Sequence, residues 1–313
     1  MDSTKTQTKT EISMNGNGEN GHATGKKTGR IDVLKTYKIY VDGKFPRTES
    51  GRYYILNGRD GSQLANICKS SRKDFRDAVV AARKAQPGWA SRTAYNKGQI
   101  LYRIAEVLEG RKAQFIDELI QQGSEKASAT EEVNLSIDRL VHYAGWSDKF
   151  IQVFSSVNPV ESSHFNFSVP EPTGVVSIIA SELTGLIGLV SVIAPAIIGG
   201  NTVVVLSSTT KPLCAISFAE VLQTSDVPAG VVNILTGEAK ELLSHFSSHM
   251  DVNAIVYSNT DEEQLKAIQT NAATNVKRVL AYGKHEWMKA DTQSPYFVMD
   301  LQEIKTTWHP IGQ

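Results

Sequence analysis

The sequence predicts an α/β fold built around a doubly wound parallel sheet, and three observations carry that prediction. Beyond Gly174, short apolar, β-rich runs recur at "VVSIIA", "TVVVL", "VVNIL", "NAIVY" and "VKRVL". A helical segment separates each run from the next, and the spacing of roughly 20–30 residues is what right-handed βαβ crossovers require. The region before Gly174 is mostly helical in pattern, which supplies a helical layer beside the sheet.

Along the chain, residues 1–30 are polar and rich in Gly, Thr, Asn and Lys, so a disordered tail is expected there. "YKIYVDGKFP" alternates into an Asp-Gly turn and reads as a short hairpin. Ser71 and Asp74 form a capping-box start for a helix that Pro87-Gly88 should end. Further helices are expected from about Thr93 to Leu108 and from Lys112 to Gln122, with a long one from Glu125 to Phe150. "HFNFSVPEP" alternates again and reads as an exposed strand or hairpin arm, and "YFVMD" at 296–300 as a further strand. The domain boundaries are therefore a tail over 1–30 and one domain over 31–313, with a bridging segment at about 151–170.

Composition excludes several function classes. Lys+Arg 33 balance Asp+Glu 33, and no dense basic run follows the tail, which argues against a nucleic-acid partner. The longest apolar run, Leu186 to Ile198, is too short to span a bilayer and reads as a buried helix. Cys68 and Cys214 offer neither a disulfide framework nor metal spacing, and both read as packed thiols. The first residues lack a hydrophobic signal core, so a cytoplasmic protein is expected.

Strand-to-helix turns at a sheet edge are where ligands sit in such folds. The first of them, "IIASELTG", has no phosphate-cradling glycine loop, and Glu182 would repel a phosphate. After "NAIVY" the turn reads Ser258-Asn259-Thr260-Asp261-Glu262-Glu263, whose acids suit a helix N-terminus as an ordinary cap. His245 and His249 share i, i+4 spacing, but no third ligand or adjacent Glu completes a metal motif, so no metal is expected. Asp117 and Glu118 read as solvent-facing, and the four tryptophans as packing or interface anchors.

The order of several pieces resembles the aldehyde dehydrogenase superfamily: "AVVAARKAQPGWAS", "ILYRIAEVLEGRKAQFIDEL", "VHYAGWSDKF", "EPTGVVSII", "APAIIGGNTVVV", "VPAGVVNILTG", "SHMDVNAIVYS" and "NAATNVKRV". The ending "EIKTTWHPIG" is similar to the terminus of the second, degenerate module of the two-module family-16 enzymes. The resemblance implies a Rossmann-like sheet of the aldehyde dehydrogenase type, with the catalytic domain and the C-terminal strand of the oligomerisation sheet missing. It also implies altered chemistry. The family's oxyanion-stabilising Asn falls on Leu183 and its general-base Glu on Tyr282. Its nucleophilic Cys would come near or past Gln313, so no catalytic residue is expected. The ribose-gripping Lys and acid fall on Leu206 and Thr209, and the Gly of the pyrophosphate turn on Asn259. Gly237 keeps its glycine, but Ala239 and Leu242 stand where further ones would help.

The leading expectation is a non-catalytic, aldehyde-dehydrogenase-like protein without a bound cofactor. It would act by association, as a homo-oligomer or with an active aldehyde dehydrogenase subunit. The alternative is an NAD(P)-dependent subunit that oxidises aldehydes only within a hetero-oligomer. With a domain face and a sheet edge exposed, contact is expected along Leu213 to Leu222 and the strand His164 to Val169. Charge at Phe218 should then disperse the complex while leaving the monomer folded.

Overall fold

In the computed structural model, which describes residues 33–312, a small sheet comes first. It is ordered β1 (Thr36–Tyr37), β3 (Gln63–Cys68), β2 (Tyr53–Asn57). The expected tail over 1–30 lies outside the described residues. Asp42 and Gly43 both take positive φ (52° and 71°), closing the tight turn between Val41 and Lys44 that the Asp-Gly pair announces.

Helix α1 (Arg72–Ala90) starts at the full Ser71/Asp74 capping box. It does not end at Pro87-Gly88. Trp89 is buried and donates its indole N–H to the Ile197 carbonyl at 2.8 Å, which fixes one more turn beyond the proline. Helix α2 (Ala94–Gly110) is capped by Thr93, and α3 (Lys112–Gln121) follows. The expected helix from Glu125 to Phe150 divides into α4 (Lys126–Ala144) and α5 (Lys149–Phe154). The break is set by packing: Ser147 turns inward against Gly98 of α2, where a Cβ would lie 2.5 Å from its Oγ.

Three strands then build the bridging sheet, in the order β11 (Gln302–Pro310), β5 (His164–Pro172), β4 (Ser156–Asn158). The segment "HFNFSVPEP" is thus a central strand rather than an exposed arm. β11 pairs with it antiparallel without interruption, from Gln302 opposite Pro172 to Pro310 opposite His164. The family-like terminus therefore returns to complete the sheet for which no third strand was expected. "YFVMD" is not a strand. Tyr296–Met299 forms one helical turn, α10, seated by Phe297 and Val298.

The central sheet comprises β6 (Val175–Ile179), β7 (Thr202–Leu206), β8 (Val232–Leu235), β9 (Ala254–Tyr257) and β10 (Arg278–Ala281). Its order is β10-β9-β6-β7-β8 and every pair is parallel, as the five apolar runs predict. The crossovers carry α6 (Ile187–Ile198), α7 (Leu213–Gln223), α8 (Ala239–Ser248) and α9 (Glu262–Ala272). One face packs on α6 and α7 with the layer α2–α4 behind them; the other packs on α1 and α8, where Phe75 stacks on Phe246 at 4.1 Å.

This packing corrects two expectations about surfaces. α7, Phe218 included, lies in the core and offers no contact face. Glu118 is also buried, its Oε1 accepting from Ser217 Oγ at 2.6 Å, Gln114 Nε2 at 3.0 Å and Tyr37 OH at 3.4 Å. Ser217 lies on α7, so Glu118 could not remain solvent-facing once α3 packed there.

Candidate functional site

The sheet grows from β6 toward β7 and β8 on one side and toward β9 and β10 on the other. Strand order therefore reverses at β6/β9, and the loops leaving these two strands frame the crevice where such folds bind ligands. A cleft of about 270 Å³ lies there, walled by Glu182, Leu183, Tyr257, Ser258, Asn259 and Asp261.

Sequence reasoning named most of these residues, and the structure gives them unexpected duties. Asn259 clasps the two loops together: its Nδ2 donates to the Ala180 carbonyl at 3.1 Å, and its Oδ1 accepts from the Glu182 N–H at 2.9 Å. The exit of β10 closes in from a third side, because a Cβ at Gly283 would collide with the Asn259 carbonyl. Glu182 does not project as a free acid. It accepts from Ser208 Oγ at 2.7 Å, from the Thr209 N–H at 3.0 Å and from Thr210 Oγ1 at 3.1 Å, pinning the loop after β7.

Thr209, in the same loop, donates its hydroxyl to the Gly237 carbonyl at 2.9 Å. Gly237 itself has φ +148° and leaves little room over the Ser70 amide, 3.3 Å from where a Cβ would lie. Leu206 ends β7 and is buried in the core beneath this loop. Leu183 points outward and is 72% exposed, while Lys211 Nζ holds its carbonyl at 2.9 Å. Leu183, Glu182 and Asn259 thus share one cleft, whereas Leu206, Thr209 and Gly237 belong to the neighbouring loop cluster. At the start of α9, Asp261 Oδ1 accepts the Gln264 N–H at 3.0 Å, and Glu262 and Glu263 follow, so the expected cap is formed.

Tyr282 stands apart from the cleft. Its hydroxyl donates to Asp300 Oδ2 at 2.5 Å, and its ring packs at 5.0 Å from Phe297 and 6.2 Å from Trp287. Burial and the adjacent carboxylate push its phenol far above the usual range, so it stays neutral. The two cysteines are buried as expected, and burial pushes the Cys214 thiol up, away from the reactive thiolate. His249 ends its helix, edge-on to Phe75 at 5.7 Å and accepting the Asp251 N–H. Among the described residues no three His, Cys, Asp or Glu side chains gather to hold a metal ion, and no helix is long and apolar enough to cross a membrane.

Two buried groups escaped the sequence reading. Glu132 of α4 accepts from the N–H groups of Gly185, Leu186 and Ile187 at 2.9, 2.7 and 3.1 Å, capping α6 from outside. The available signal was partial: within "TGLIG" only Thr184 caps the first turn of α6, its hydroxyl accepting the Gly188 N–H at 3.1 Å, and the N-cap residue Leu186 offers no capping side chain. Arg139 of α4 reaches Ser191 Oγ and the carbonyls of Thr292, Trp287 and Lys289 at 2.6–3.3 Å. It thereby seats the connection between β10 and β11 across α4 and α6. That connection is itself packed against the body of the protein, with Trp287, Phe297 and Leu301 all buried.

Comparison with known proteins locates this arrangement. The model of the "Aldehyde dehydrogenase family" matches residues 45–285. Mouse cytosolic 10-formyltetrahydrofolate dehydrogenase is 28% identical over 260 residues, which cover 81% of this chain and 29% of that protein. A putative aldehyde dehydrogenase, DhaS, from Bacillus subtilis is 30% identical over 263 residues, covering 82% and 52%. Among solved structures, an aldehyde dehydrogenase from Bacillus cereus in its NAD+ complex superposes with a TM-score of 0.74 at 23% identity, a likeness of fold. That match covers 79% of this chain and 50% of the other. The chain spans about half or less of the length of these relatives.

Proposed function

The chain belongs to the aldehyde dehydrogenase family, and from that premise we propose that it is a non-catalytic member, cytoplasmic, acting by association with another protein chain. The observation that supports this reading best is the clasped crevice. Where the resemblance places a glycine-rich phosphate turn, Asn259 bridges the two loops instead. Two carboxylates, Glu182 and Asp261, line the cleft and no cationic side chain does. A dinucleotide pyrophosphate entering there would meet like charge and find no open backbone cradle. Each lost charged contact weakens binding by about 1.5–3 kcal/mol, and Leu206, Thr209 and Asn259 alter several together.

The positions that the resemblance makes catalytic differ as well. Leu183 has no amide to donate to an oxyanion, Tyr282 is tied to Asp300, and both cysteines are buried. Calorimetric titration of the purified protein with NAD and NADP tests the reading. No measurable heat is expected up to millimolar cofactor, together with no aldehyde turnover. A micromolar dissociation constant would instead favour the alternative, an NAD(P)-dependent subunit that works within a hetero-oligomer.

A further inference from the structure

We propose that the cleft at the strand reversal binds a primary ammonium group carried on a short aliphatic stem. The inference rests on the reading that no dinucleotide occupies the crevice, and it assigns the cleft a ligand of the opposite charge.

The charge of the walls is the first observation. Glu182 and Asp261 line the cleft, and no Lys, Arg or His does. Among the described residues both carboxylates accept from neutral donors alone. Glu182 takes the hydroxyls of Ser208 and Thr210 and the N–H groups of Thr209 and Thr210, and Asp261 takes the backbone and side-chain amides of Gln264. These bonds fix the two acids without supplying a counter-charge. The N-terminus of α9 offsets part of the charge on Asp261, but Glu262 and Glu263 follow it there. The Lys211 ammonium is directed to the Leu183 carbonyl instead. Acceptor capacity also remains, since a carboxylate offers about four lone-pair sites. Asp261 receives two N–H groups, and Glu182 Oε1 shares the single N–H of Thr209 with Oε2.

The second observation is a polar atom that the fold leaves unsatisfied. Ser258, also in the cleft wall, is 2% exposed, and its Oγ has no hydrogen-bond partner. Buried hydroxyls are normally paired, so this one marks a place where a bound group completes the bonding. An ammonium carries three donors and no acceptor, which suits the three acceptor side chains Glu182, Ser258 and Asp261. Leu183 and Ala239 are the aliphatic members of the lining, and long amines lay their methylenes on such surface. At about 270 Å³ the cleft falls just below the roughly 300–1,000 Å³ of drug-sized sites, so one head and a short stem fill it. A hard divalent ion fits less well. Calcium takes about six to eight oxygens, and among the described residues no three His, Cys, Asp or Glu gather.

Calorimetric titration of the full-length purified chain with n-butylammonium chloride provides the test. Controls are 1-butanol as the neutral analogue, magnesium chloride as an inorganic cation, and NAD. Butylammonium should bind at millimolar concentration or below, more weakly as salt rises, while butanol and magnesium should not bind. Asp261→Asn keeps a helix-capping side chain but removes the charge, and should weaken binding about tenfold or more. Ser258→Ala should weaken it too. Leu183→Lys, at an exposed position, sets the chain's own ammonium at the cleft and should abolish binding, whereas Leu183→Met should retain it. The peptide acetyl-Gly-Lys-Gly-amide separates the two sources of the same head group. Tighter binding than butylammonium assigns the cleft to a lysine of a partner chain, and equal or weaker binding assigns it to a free amine. Silence toward both amines overturns this inference and leaves the non-catalytic reading standing. Equal binding of butanol or magnesium does the same, as does amine binding that Asp261→Asn, Ser258→Ala and Leu183→Lys leave unchanged. Micromolar binding of NAD overturns both readings.

Discussion

Asn259 shows how one side chain joins two loops at the strand reversal. Its amide spans the loops after β6 and β9, using one donor and one acceptor at 3.1 and 2.9 Å. Asn259→Ala should therefore lower stability by about 1–3 kcal/mol, read from denaturant midpoints, and loosen amide protection over residues 180–186. It should not create NAD affinity in a titration, because Glu182 and Asp261 remain. A second residue-scale prediction concerns Lys277, whose ammonium is buried against the carbonyls of His249 and Val252 at 2.8 and 2.6 Å. Burial pulls its pKa down from 10.5 to about 8. Between those two values the unfolded chain binds a proton that the folded chain does not, so this group's contribution to stability rises with pH across that window and is flat below it. Unfolding midpoints of the native protein minus those of Lys277→Met should increase from pH 8 toward pH 10. A constant difference across that range would show that Lys277 titrates normally.

At the scale of elements, the sheet was legible because four of its five strands, β6 to β9, bury both faces and so write short, nearly continuous apolar runs. Helix starts were legible where the cap is local, as at Ser71 and Asp261. Elements whose limits are set by distant partners were not. Trp89 extends α1 by bonding to Ile197, and Gly98 draws Ser147 out of a helix that would otherwise run on. The acid of the α6 cap lies 53 residues away in sequence, on α4. Within the site, the altered positions could be named, but the clasp by Asn259 depends on which loops meet at the strand reversal, and that is a property of topology. α7 is the clearest error of surface: "LCAISFAEVLQ" reads as a contact face, yet nine of its eleven residues are buried. Phe218→Asp should consequently unfold the monomer, costing at least about 3–5 kcal/mol, with loss of helical circular dichroism. A well-folded Phe218→Asp protein with an altered oligomeric state would reinstate α7 as an interface.

For the whole molecule, the return of the chain in β11 binds distant parts into one structure. Beside its pairing with β5, this end of the chain makes further ties to the rest of the molecule. Gln302 Nε2 donates to the Gly199 carbonyl at 3.2 Å, Arg278 reaches the carbonyls of Asp300 and Gln302 at 2.8 and 2.6 Å, and Asn201 Nδ2 donates to the Leu301 carbonyl at 3.0 Å. β11 thus connects the bridging sheet to the C-terminal end of α6 and to the edge of the central sheet. The central sheet has its own core on both faces, with all of β6, β7, β8 and β9 buried, so it does not need β11 to stay folded. The bridging sheet differs. Without β11, β5 keeps only three paired residues with β4, and a two-stranded hairpin is marginal in water. Removing residues 302–313 should therefore unfold a part of the molecule and spare the rest. Hydrogen exchange should show protection lost over residues 156–172 and retained at the strands between 175 and 257. Uniform loss of protection would mean that the two sheets fold as one cooperative unit, and unchanged protection over 164–172 would mean that β5 is held by α5 and the body of the protein instead of by its pairing with β11.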